Sequence, residues 1–202
     1  MIPLFPIDEV CPVYCKTCMD TFGEHAVHCK ELPGFQYRHD FVRDVLFDIF
    51  RRAGVSVKKE TSVNFLTDPL ERRSTLRPAD VMMYEWVGGK HACVDLTGVS
   101  PLVGLGVGPF SVGQTTLKVA SSKVTKHGKV CSDNQHVFIP FDFDTFGFQA
   151  PEAVSLLHRV QKFMHNNVKS PRSMNVVFTR IGFAIRKGLA AQLVVRLPSI
   201  QL

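Results

Sequence analysis

Asp80 and Asp95 stand 15 positions apart, in RPADVMMYEW and HACVDLTGVS, with Gly88-Gly89 between them. Both segments read as strands, and the glycine pair is a turn signal. A tight hairpin would set the two carboxylates side by side. Adjacent carboxylates repel unless a cation joins them. Mg²⁺ suits such hard oxygen donors and also binds phosphate oxygens. An ion held there can polarise a phosphodiester and generate hydroxide. Asp95 lies among Ala92, Cys93, Val94, Leu96 and Val99. An acid inside an apolar strand is costly to bury unless it is paired or metal-bound. The alternative places Asp95 on the solvated side of an edge strand. Glu60 is a further candidate carboxylate, with weaker support.

A phosphoryl-transfer site also calls for a cation that orients water and offsets charge on the phosphorane. The basic segment 115–130 offers Lys118, Lys123, Lys126 and Lys129. Lys123 and Lys126 share a helix face at a spacing of three. The competing reading is a solvated basic face, or one that only holds phosphates.

The second cluster is at the start of the chain. Four of the six cysteines fall in the first 30 residues, beside His25 and His28. Cys15-x2-Cys18-x6-His25-x3-Cys29 can close a tetrahedral Zn²⁺ site, because C-x-x-C chelates from one turn. Cys11 and His28 compete as ligands. Four ligands and no open position would make the site structural. Free thiols in a reducing compartment are the alternative. Cys93 and Cys131 read as core residues.

These groups need elements to position them. Residues 38–53 predict an amphipathic helix ending at Gly54, and a strand begins at Val55. Strands are expected over 79–86, 91–99 and 137–141, and helices over 115–130, 151–166 and 172–196. Residues 66–76 and 101–114 read as loops. The order helix, three strands, helix, strand, helices predicts a mixed α/β sheet. The expected division is a zinc knuckle at 1–33, a core at 34–148 and a helical extension at 149–202.

A 45% hydrophobic content across 202 residues suits a chain that buries a core and argues against a disordered tail. The +6 charge suits a polyanionic partner without requiring one. No run of 18 apolar residues occurs, and MIPLFP is too short and proline-broken for a secretory leader. An intracellular setting and no membrane partner are therefore expected.

CKTCMDTFGEHAVHC, RHDFVRDVL, RPADV, VDLTGVSP and KVTKHG follow one another in the order found in a known family. The chain resembles the restriction-enzyme-like endonuclease of site-specific non-LTR retrotransposons, and looks most like plant proteins derived from the end of such polyproteins. The resemblance covers roughly residues 1–150 and extends in part into the tail. It implies the PD-(D/E)XK αβββαβ core, Mg²⁺ or Mn²⁺ dependence, strand nicking of DNA and a nuclear setting. Carried over, Asp80 and Asp95 are the metal ligands and Lys123 is the catalytic lysine. Arg38, Arg77, Lys118 and Lys126 are the expected nucleic-acid contacts, DNA first and RNA second. Two departures stand out. Ala79 is inserted between Pro78 and Asp80, and Thr97 replaces the (D/E)-x-K lysine, which this family carries on the helix. With no reverse-transcriptase segment in these 202 residues, a truncated or domesticated copy is expected. The alternative function is a catalytically silent nucleic-acid-binding module, or a regulatory or protein-interaction factor, on the same fold.

Overall fold

The structure is a computed structural model that describes residues 10–11, 24–61, 79–101, 111–168 and 173–196; for 24, 28, 168 and 173–175 it describes the backbone alone. The elements are α1 (Glu24–His28), α2 (Phe35–Arg52), β1 (Val57–Thr61), β2 (Ala79–Val87), β3 (Lys90–Val99), α3 (Gln114–Asp133), β4 (His136–Asp144), α4 (Pro151–Val168) and α5 (Ser173–Val194). From α2 onward the observed order of helices and strands is the expected one, and the short α1 was not expected. The expected loops at 66–76 and 101–114 lie largely outside the described residues.

Local chemistry sets the boundaries. In α2, Val42, Leu46, Ile49 and Phe50 recur on one face and are buried. The helix stops in a Schellman motif, with Gly54 at φ 79. The Gly54 amide donates to Arg51 O and the Val55 amide to Phe50 O, both at 3.0 Å, which satisfies carbonyls the helix end would orphan. Pro151 opens α4, where its missing N–H costs nothing.

The four strands lie in the order β1-β2-β3-β4. The β1–β2 and β2–β3 pairs are antiparallel and β3–β4 is parallel, so the sheet is mixed. A parallel neighbour needs a long crossover, and α3 supplies it. Val81, Met83, Val94, Leu96, Phe141 and Phe143 form one sheet face, which packs into a common core with α2, α4 and α5. That core runs through the expected boundary at 148/149. Met82 and Cys93 point the other way and meet Cys131 of α3. A smaller cluster of Cys11, Ala26, Cys29 and Leu32 lies against Leu193 of α5. Among the described residues no helix is long and apolar enough to cross a membrane.

Candidate functional site

Strand register brings the first pair together. Val81 faces Val94 and Met82 faces Cys93 across the hairpin. One step further along the same register, Asp80 stands opposite Asp95. Asp80 Oδ2 accepts a hydrogen bond from the Leu96 amide at 2.6 Å. Asp95 and Thr97 are two residues apart and share a strand face. On the parallel neighbour, Thr97 is in register with Asp142.

The crossover helix supplies the lysine. Lys123 Nζ lies 2.6 Å from Asp95 Oδ2 and 2.9 Å from Asp142 Oδ1, and it also donates to Thr97 Oγ1. The ammonium therefore sits beside the side chain two positions after Asp95, where a D-x-K lysine would have stood. Lys118 and Lys126 remain exposed on α3.

Asp142 was not singled out from the sequence. Its side chain is fully buried, and its Oδ2 has no hydrogen-bond partner. Burial pushes its carboxyl above the usual range, and the charge of Asp95 adds to that, against the pull of Lys123. An acid within the apolar run VFIPF-D-F is the same signal that drew attention to Asp95.

His39 is the second residue not assigned to the site from the sequence. It lies on the first turns of α2, with Nε2 3.4 Å from Asp80 Oδ2 and Nδ1 3.3 Å from Asp40 Oδ1. Burial alone would lower its pKa, but the hydrogen bonds and charges of Asp80 and Asp40 raise it overall. Asp80 moves the other way. Burial would raise it, while His39, the Leu96 amide and Lys123 together bring it below the ordinary carboxylate value. His127, on the next turn of α3 after Lys123, is held below its usual pKa by burial and by Lys126 and Lys123, against the pull of Asp95. Glu60 is engaged elsewhere, at 2.5 Å from Arg43 Nη1.

At the other cluster, Cys11, His25 and Cys29 are buried, and their ligand atoms all lie within 4.8 Å of one another. Tetrahedral zinc, with Zn–S near 2.3 Å and Zn–N near 2.1 Å, would draw such atoms to roughly 3.6–3.8 Å apart. Two thiols and an imidazole are a donor set that zinc favours, so the group can hold such an ion. Cys11, first read as a competitor, is in this group. Cys15, Cys18 and Arg77 lie outside the described residues, as does the side chain of His28.

The end of α5 and the turn that follows it grip this module. Arg196 donates to the carbonyls of Pro33, Leu32, Cys29 and Ala26, at 2.6, 2.7 and 3.1 Å for the first three. Gln192, fully buried, donates to Val27 O at 2.9 Å and Ala26 O at 3.3 Å. Arg38 is 3% exposed, with its guanidinium over the Phe35 ring. It lines a cavity of about 740 Å³ rather than the outer surface where a phosphate contact was expected. No protein-family model matches the chain, and a search of curated proteins finds no match.

Proposed function

We propose that this chain is a metal-dependent endonuclease that hydrolyses DNA phosphodiesters, built on a PD-(D/E)XK core of the kind found in non-LTR retrotransposons. The observation that carries the reading is the position of Lys123: its ammonium contacts Asp95 and Thr97 at once, which restores from a helix the lysine missing from D-x-K. The element order from α2 to β4 also fits the helix, three strands, helix, strand pattern of such cores. Asp80 and Asp95, opposed on β2 and β3, are the residues that would hold Mg²⁺ or Mn²⁺. A bound ion of this type supplies Lewis acidity and a hydroxide nucleophile. Lys123 orients the attacking water and offsets charge on the phosphorane. The unpartnered Oδ2 of the buried Asp142 is a further acceptor next to that position. Lys118 and Lys126, exposed on the same helix, hold flanking phosphates. The Cys/His module is a structural zinc site, and a genomic substrate implies nuclear residence.

One observation favours a second reading. Lys123 is an internal counter-charge to both Asp95 and Asp142, at 2.6 and 2.9 Å. An internal counter-charge of this kind suits a fold that binds nucleic acid without turnover. A plasmid-nicking assay with Mg²⁺ or Mn²⁺, comparing the wild type with Asp95→Ala, separates the two. Nicking by the wild type alone is the expected result. No nicking by either folded, zinc-loaded protein would leave the binding module.

A further inference from the structure

The carboxylates are recessed. Side-chain exposure is 27% for Asp95, 19% for Asp80, 17% for Lys123 and 0% for Asp142. A phosphodiester that reaches them brings its neighbouring nucleotide against the walls that surround them. The cavity of about 740 Å³ begins at that point, and its near wall is His39 and Thr97. His39 is the residue against Asp80, and Thr97 is the residue against Lys123. The cavity and the carboxylate site therefore share a wall.

Its interior suits a flat heteroaromatic ring. Phe35 of α2, Phe143 of β4 and Val119 of α3 supply apolar surface, against which a base can stack whatever its identity. Lys30 and Glu31 also line the space, so a cation for phosphate and an acceptor for an exocyclic amine are both within it. The volume falls in the range of about 300–1,000 Å³ that holds small molecules and nucleotides. A base left in its duplex stack presents no free face and cannot enter.

We propose that this cavity receives one DNA base flanking the scissile phosphate, unstacked from its neighbours, so that the protein acts on locally opened DNA. The proposal rests on the endonuclease reading. Base extrusion is how enzymes that modify a base reach it inside a duplex. Here it would serve to seat the phosphate rather than to modify the base.

The test uses the full chain with Ca²⁺ in place of Mg²⁺ and a set of duplexes carrying 2-aminopurine at each successive position. Emission should rise severalfold at one position only, adjacent to the nick mapped with Mg²⁺. Val119→Trp fills the cavity and should abolish the rise while anisotropy still reports duplex binding. Leu117→Trp, on the exposed side of the same helix, should behave as wild type. Phe35→Ala, on the facing wall, should weaken the rise and covers the case in which Val119→Trp does not fold. Bound duplex with no emission change at any position overturns the cavity assignment alone, and so does a rise that survives Val119→Trp. Absence of duplex binding overturns it together with the endonuclease reading.

Discussion

Lys123 and Asp142, 19 residues apart in the chain, meet at 2.9 Å in the interior, where Asp142 has no exposed surface. A carboxylate buried so completely is tolerable only with a counter-charge beside it. The same contact fixes Lys123 between β3 and β4. The pair thus links the stability of the sheet to the placement of the lysine.

Breaking the pair from one side should therefore be severe. Lys123→Met leaves a buried acid uncompensated and should lower unfolding free energy by about 3 kcal/mol. The double variant Lys123→Met with Asp142→Leu should recover most of that. Denaturant titration of the three proteins reads the coupling. Equal losses in the single and double variants would mean that the uncompensated acid is not what destabilises Lys123→Met.

If the chain nicks DNA as proposed, Asp142 also has a consequence for rate. It touches Lys123 rather than the phosphate, so its role is to position the lysine. Asp142→Asn should lower the nicking kcat by about 10–100-fold with little change in KM, and Asp142→Glu should restore part of it. A change confined to KM would place Asp142 in substrate binding instead.

The sequence made some of this legible and hid the rest for physical reasons. Periodicity exposed α2 and the β2–β3 hairpin because their apolar faces are local patterns. The pairing of Asp80 with Asp95 followed from the hairpin alone. The choice of Lys123 among four lysines did not, since spacing along α3 cannot say which one crosses to β3. Asp142 carried the same local signal as Asp95, an acid in an apolar run, but its place beside Lys123 depends on the parallel register with Thr97, which no local pattern encodes. Arg38 looked like a surface charge on an amphipathic helix. It is buried because Gly188 of α5 packs directly on its side chain, a contact between residues 150 positions apart.

The Asp80–His39 contact predicts a pH dependence of stability. The folded pKa of His39 lies above its ordinary 6.5, so folding takes up protons near neutrality. The stability this provides is complete below 6.5 and is lost as pH rises through the folded value. Asp80 has the opposite sign: its folded pKa lies below 3.8, so its contribution is present above 3.8 and is lost as pH falls through the folded value. Urea midpoints should therefore decline as pH rises above 6.5, and His39→Gln should flatten that decline. An unchanged slope in His39→Gln would remove His39 as its source.

The grip of α5 on the Cys/His module predicts that metal and helix are coupled. Arg196 and Gln192 hold carbonyls on both sides of Cys29, including the carbonyl of Cys29 itself. Ordering one end of this contact orders the other. Chelating zinc from the full chain should raise amide exchange in the last turns of α5 while β2 and β3 stay protected. Cys11→Ser should lower bound zinc measured by mass spectrometry, since Cys11 is one of the three clustered side chains that could hold a metal ion. Arg196→Ala removes a buried guanidinium and strands the carbonyls it served, at a cost of about 2–3 kcal/mol. It should also weaken zinc binding, although Arg196 offers no ligand atom. If Arg196→Ala keeps full zinc affinity while destabilising the chain, the helix supports the module without shaping its metal site. If it loses both together, residues 173–196 are part of the zinc-binding unit.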